Sequence, residues 1–223
     1  MASKSYSINW GGKQLTVEVG KLARAANGSC TVRYGDTMVL GTAVMSKDVR
    51  PGTNFFPLMV EYEETLYAAG RIKGSRFIKR EGRPTDEAVL TARFIDRAIR
   101  PLFDARMEND VQVMVTALAF DKVNDTDVPG LIAASIALHI SDIPWNGPIA
   151  VARVNKLNGD FILNGSYKER EEARFYVEVA GTPEKVIMLE AGCDEASEQD
   201  AINAIFFGQK NLAPVIELIE KIR

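Results

Sequence analysis

Histidine occurs once in this chain of 223 residues, cysteine twice and tryptophan twice. Cys30 and Cys193 stand far apart, and neither belongs to a CxxC pair. That spacing argues against a structural disulfide or a zinc site. Both read as small buried residues of a cytoplasmic protein. The lone His139 follows Ala134, Ser135 and Leu138 in an apolar helical stretch, as a packed or surface residue rather than a catalytic one. No apolar run approaches the roughly 20 residues that span a bilayer. The opening MASKSYSINWGG has no apolar signal-peptide core, so no membrane contact is expected. Hydrophobic content of 46% and charged content of 26% suit a soluble globular chain. The length allows one large domain or two small ones.

What the chain does have is a concentration of positive charge. Between Arg71 and Arg100 lie Arg71, Lys73, Arg76, Lys79, Arg80, Arg83, Arg93, Arg97 and Arg100, opposed only by Glu81, Asp86, Glu87 and Asp96. Nine cations against four anions give the window +5 and leave −8 for the rest of a chain whose formal net charge is −3. A local basic site on an acidic protein points to a polyanionic ligand rather than to general adhesion.

The first half reads as β-rich. Gln14–Val19 alternates, Cys30–Tyr34 and Met38–Met45 suit a pleated, half-buried surface, and Tyr34-Gly35-Asp36-Thr37 turns one into the other. Phe55–Tyr62 predicts another strand, and Gly70–Pro84 a loop. Thr85 is placed to cap a helix with Asp86 and Glu87 in its first turn, ending near Pro101. At 3.6 residues per turn Arg93, Arg97 and Arg100 share one sector, opposite Ala88, Ile95, Ala98 and Ile99. Asp96 is spaced to pair with Arg93 and Arg100, which leaves Arg97 over.

Val111–Phe120 then predicts a strand and Pro129–Ile140 a buried helix. Ile149–Val154 and Gly159–Leu163 form a hairpin, and Phe175–Ala180 and Lys185–Glu190 a second strand pair. Ser197 caps a helix to about Leu212, and Pro214 opens a last helical stretch. There Ile216, Leu218, Ile219 and Ile222 find no obvious partner, as at the front of a longer polypeptide. Strand groups alternating with helices give a mixed α/β fold, an α+β two-layer arrangement.

Arginines and lysines on a glycine-bearing loop suit a flexible string of phosphates, since each cation that neutralises a phosphate releases condensed counterions. Phe77 inside the cluster supplies a ring on which a base can stack, worth about 1–3 kcal/mol per base without sequence preference. A solvated loop and a salt-bridged helix are the competing reading of the same residues.

The run FFPLMVEYEETLYAAGRIKGSRFIKREGRPTDEAVLTARFIDRAIRPLF, Phe55 to Phe103, resembles the first RNase PH-like core domain of the bacterial polynucleotide phosphorylase family. GGKQLTVEVGKLARAANGSCTVRYGDTMVLGTAV, IPWNGPIAVARV and the VAGT turn extend the resemblance over nearly the whole chain. It implies the RNase PH, or ribosomal-protein-S5-domain-2-like, fold for residues 1–213, with 214–223 as the truncated start of a helical linker domain.

It also implies membership of a phosphorolytic 3′→5′ exoribonuclease of mRNA degradation. In that enzyme inorganic phosphate is co-substrate, a homotrimer forms a ring around a channel, and other proteins of an RNA-degradation complex are possible partners. By the same resemblance Phe77, Lys79, Arg80 and Arg83, with Arg76 as an additional cation, hold single-stranded RNA at a constriction. Arg93, Arg97 and Arg100 guide it onward. Ile78 departs from the family, many of whose members carry a second aromatic there.

Catalytic members of the family place a phosphate-binding loop before the helix that matches Pro129–Ile140. Here the loop reads Asn124-Asp125-Thr126-Asp127-Val128-Pro129, whose carboxylates repel phosphate and whose proline lacks an amide donor. Asp127 is also placed to cap that helix. Aligned on Val179-Ala180-Gly181-Thr182, the family's two metal-binding aspartates and its lysine become Arg170, Tyr176 and Glu178. The expectation is a non-catalytic half: no catalytic or metal-binding residue here, and Mg2+ bound by a second core domain outside these residues. The alternatives are a stand-alone tRNA-trimming RNase PH and a non-catalytic, exosome-like RNA-binding ring subunit.

Overall fold

A computed structural model describes residues 3–72, 74, 82–173 and 175–223. Among them the chain forms β1 (Lys4–Trp10), β2 (Lys13–Val19), β3 (Gly28–Tyr34), β4 (Thr37–Met45) and β5 (Leu58–Glu64). Helix α1 (Asp86–Ile99), β6 (Val111–Ala119) and α2 (Asp127–His139) follow. The remainder is β7 (Ala150–Leu157), β8 (Asp160–Leu163), α3 (Tyr167–Glu172), β9 (Phe175–Gly181), β10 (Val186–Cys193), α4 (Glu198–Lys210) and α5 (Ala213–Ile222).

One six-stranded sheet runs β1-β2-β3-β4-β6-β5, and a four-stranded sheet runs β10-β9-β7-β8. Every pairing is antiparallel except that of β5 with β6. The expected strands and helices are present, with boundaries shifted by a few residues, while residues 73 and 75–81 of the loop expected over Gly70–Pro84 lie outside the described residues. The strand expected from Phe55 begins at Leu58, because Pro57 cannot donate to a ladder and Phe56 instead stacks on Phe103, ring centroids 4.8 Å apart.

Two elements add to the expectation. Strand β1 turns into β2 through Gly11 and Gly12, both at positive φ (59° and 76°), the backbone that a two-residue hairpin needs. Helix α3 is fixed by a capping box: the Ser166 hydroxyl accepts from the Glu169 amide, and the Glu169 carboxylate accepts from the Ser166 amide.

Helix α2 sits at the centre. From Val128 to His139 every residue is buried, and its side chains share one hydrophobic core with β2–β6, α1, α5 and the start of β7. Small residues on both sides let it approach the first sheet closely. A Cβ added at Gly41 of β4 would lie 2.7 Å from the Ala133 carbonyl oxygen, and one at Gly28 of β3 would overlap the Ala137 carbonyl. Gly28→Ala is therefore expected to cost about 1–3 kcal/mol, the range for overpacking, as a lowered urea midpoint at unchanged m-value.

Helix α5 departs from expectation. Its Val215, Ile216, Leu218 and Ile219 are buried in the main core, so the apolar face has its partner within this fold. Trp10 Nε1 of β1 donates to the Asn211 carbonyl at 2.8 Å, tying the first strand to the α4–α5 junction. Helix α4 covers the other face of the second sheet, where Val154, Phe175, Val177 and Val179 pack with Ala204. Strand alternation then points Tyr176 and Glu178 to the opposite side, toward the helices.

Candidate nucleic-acid interface and buried charge cluster

Thr85 caps α1, its Oγ1 accepting from the Ala88 amide at 3.0 Å, and Asp86 and Glu87 occupy the first turn. The helix buries Ala88, Phe94, Ile95, Ala98 and Ile99. Its opposite edge presents Arg93, Arg97 and Arg100, all exposed. The ion pairing differs from the sequence expectation. Asp96 takes Arg100 alone, through Nε at 3.0 Å and a terminal nitrogen at 2.6 Å, and that nitrogen also donates to the Leu58 carbonyl at 3.1 Å. Arg97, expected to be left over, pairs with Glu190 of β10. Arg93 meets no carboxylate among the described residues.

Arg83 is exposed ahead of the helix. Phe77, Lys79, Arg80 and Arg76 lie outside the described residues. Glu61 and Glu64 of edge strand β5 accept from Gln112 and Thr85 at 2.9 and 2.8 Å.

The second site was half legible. Arg170, Tyr176, Glu178, Asp125 and Asp127 do converge, but around a residue that motif reading passed over, Arg153 of β7. Register places Arg153 beside Glu178 of β9, and Glu178 beside Glu190 of β10. The Arg153 side chain is 7% exposed and Glu178 4%. Arg153 Nε donates to Glu178 at 2.5 Å and one terminal nitrogen to Asp125 at 3.0 Å, while the other reaches Asp127. Arg170, on α3 rather than on the strand, completes the cluster by pairing with Asp125. The two guanidiniums lie over rings: Arg153 5.9 Å from the centroid of Tyr176 and Arg170 5.1 Å from that of Tyr167.

Thr126, not Asp127, is the N-cap residue of α2, and it makes no side-chain cap bond. The Asp127 carboxylate instead accepts from the Val128 amide at 2.6 Å and faces Arg153. The repulsion expected between this loop and a phosphate is thus replaced by internal neutralisation.

Three carboxylates against two guanidiniums leave one negative charge in excess. Burial, and then the charge of Asp127, push the Glu178 carboxyl up to about 8, which supplies a neutralising proton near pH 7. Burial also raises Asp127, against the pull of Arg153. For Asp125 burial opposes ionisation, yet Arg153 and Arg170 prevail and hold it below the ordinary carboxylate range. Burial disfavours the Arg153 charge, but Asp127, Glu178 and Asp125 outweigh it and hold the proton more firmly than usual. Each carboxylate is engaged by a guanidinium, so this donor set does not fit a magnesium ion. The cluster can hold the loop, β7, β9 and α3 together; it offers neither a free metal ligand nor a free phosphate cradle.

A signal for Arg153 was available: a charged residue inside the apolar run Ile149-Ala150-Val151-Ala152-Arg153-Val154 must have a buried partner. Glu190 carried no such signal, since only the register and the packing of α1 bring it to Arg97.

Two models of the 3′ exoribonuclease family match the chain, domain 1 over residues 11–144 and domain 2 over residues 147–211. The chain is 47% identical over 216 residues to a polyribonucleotide nucleotidyltransferase of Heliobacterium modesticaldum, covering 97% of this chain and 30% of that protein. It is 48% identical over 219 residues to the protein of that name from Staphylococcus aureus strain Newman, covering 98% and 31%. It therefore spans about 30% of the length of the curated relatives it matches. Among solved structures, rice (Oryza sativa) Rrp46 superposes with a TM-score of 0.74 at 13% identity, over 99% of this chain and 94% of that one, a likeness of fold.

Proposed function

Because the chain belongs to the 3′ exoribonuclease family, we propose that it is the RNA-guiding, non-catalytic portion of a polyribonucleotide nucleotidyltransferase. In that reading the whole protein cleaves RNA from its 3′ end in mRNA degradation. A phosphate oxygen attacks the terminal phosphodiester, the bond to the penultimate 3′ oxygen breaks, and a nucleoside diphosphate leaves; the reverse reaction polymerises. Magnesium is held by a second core domain, where it offsets developing charge. This chain contributes the basic loop, the α1 stripe and the frame of a ring that closes as a homotrimer in the cytoplasm. Residues 1–213 form the RNase PH-like domain, and 214–223, although packed on its core, lead into the helical linker.

The observation that carries the reading is the self-neutralised cluster of Arg153, Arg170, Asp125, Asp127 and Glu178. It lies where the family resemblance puts the phosphate loop and metal carboxylates of a catalytic domain, and its groups already bind one another. The exposed arginine edge of α1 supports the RNA-binding half. Arg93, Arg97 and Arg100 are the stripe's RNA contacts, Arg100 steadied by Asp96 and by the Leu58 carbonyl of β5.

The chain incubated with oligo(A) and inorganic phosphate is expected to release no nucleoside diphosphate, yet to bind the oligonucleotide in a salt-sensitive way. Arg93→Asp with Arg97→Asp should weaken binding and flatten the plot of log affinity against log salt by about 1.4, two single-strand phosphate contacts. Diphosphate release that stops in phosphate-free buffer would overturn the non-catalytic assignment. Unchanged binding by the folded double variant would remove the stripe from RNA recognition.

A further inference from the structure

Register aligns Arg153, Glu178 and Glu190 across β7, β9 and β10 on one face of the second sheet. The first two are buried and mutually engaged. Glu190 is different. It sits on the edge strand, 39% exposed, and its carboxylate reaches across to Arg97 of α1, itself 50% exposed. Among the described residues Arg97 has one solvent-washed acceptor, where Arg100 has Asp96 and the Leu58 carbonyl. An exposed pair of this kind is weak and opens readily. It nevertheless places a negative charge on the edge along which the RNA backbone is read to pass.

We propose that Glu190 is an internal competitor for Arg97 and sets the affinity of the α1 edge for single-stranded RNA. The proposal rests on the guiding role assigned above to that edge. A phosphate of the passing strand displaces the carboxylate, because a chain of phosphates releases counterions on binding and a lone glutamate does not. The displaced Glu190 has no second cation among the described residues, so it turns to solvent or returns to Arg97. Its return favours release of the phosphate, and the grip on the strand stays loose enough for RNA to advance. Glu190 is a positioning residue: it acts on RNA through Arg97.

Anisotropy of a fluorescein-labelled oligo(A) titrated with the chain at several salt concentrations tests this. Glu190→Gln is expected to tighten binding roughly two- to fivefold and to leave the salt slope near that of the parent, since Arg97 meets its phosphate in both. In an Arg97→Gln background the same substitution should change nothing, and circular dichroism should confirm that each variant is folded. Unaltered affinity in Glu190→Gln, or a gain that persists without Arg97, would overturn the competitor role. Arg93→Asp measured alongside separates the two levels. If it weakens binding while Glu190→Gln is silent, the competitor fails and the guiding edge stands. If RNA binding is absent or indifferent to both, the guiding edge fails and the competitor with it.

Discussion

Arg153→Met is expected to destabilise the chain by about 3–5 kcal/mol, the cost of stripping the counter-ion from a buried ion pair. The side chain answers three carboxylates at once, and Arg170 touches only Asp125. Without Arg153, Asp127 and Glu178 lie buried with no cation, and the chain must take up protons or open. For a chain of this size the loss corresponds to a melting temperature lowered by very roughly 10 °C. A compensated variant separates missing charge from missing shape. Arg153→Met combined with Asp127→Asn and Glu178→Gln should regain much of the loss, since Asp125 keeps Arg170 as its partner and no other charge of the cluster is left unpaired. Urea denaturation reads both. A loss under 1 kcal/mol in the single variant would mean that water reaches the cluster and screens it.

Glu178→Gln should alter how stability depends on pH. The folded-state carboxyl lies near 8 against an ordinary value of 4.5. A group raised in this way contributes its full stability below the ordinary value, where both states carry the proton, and that contribution is lost as pH climbs through the folded value. The parent chain should therefore lose stability between about pH 4.5 and pH 8, by several kcal/mol if Glu178 alone held the proton. Asp127 shares the burial and moves in the same direction. Glutamine imitates the protonated acid, so the variant should match the parent near pH 5 and exceed it near pH 9. Asp125 runs the other way: held low, it stabilises above the ordinary carboxylate range and ceases to do so as acid protonates it, in parent and variant alike. Parallel pH profiles for the two proteins would show that the proton resides elsewhere.

Local signals in the sequence located most strands and helices, and the structure explains which of them went unread. β1 is a largely polar strand that alternates only through Tyr6, Ile8 and Trp10, and its firmest sign is the Gly11-Gly12 turn behind it. α3 is a six-residue helix with little apolar periodicity, marked instead by Ser166 and Glu169 at capping-box spacing. The α1 stripe was legible because helical geometry is local: residues three and four apart must share a face. What each arginine touches was not legible. Asp96 could be assigned partners by spacing, whereas Glu190 is 93 residues from Arg97 and arrives there through sheet register. The charge cluster divides along the same line. Its loop and strand members stood out against a family pattern, but their meaning changed once Arg153 supplied the cation that the pattern lacked. Four of the loop residues expected to hold RNA, Arg76, Phe77, Lys79 and Arg80, fall outside the described residues, so for them the sequence remains the argument.

The all-buried helix α2 has a consequence for how such a chain can be divided. The first family match ends at residue 144 and the second begins at 147, which invites a cut between them. Yet α2 belongs to the first stretch and packs against Ile149–Ala152 of the second, while α5, from the far end, closes over β1. Neither half owns a complete interior. The two matched stretches are two paragraphs of one folding unit, and recombination between relatives must exchange them together or repack the seam.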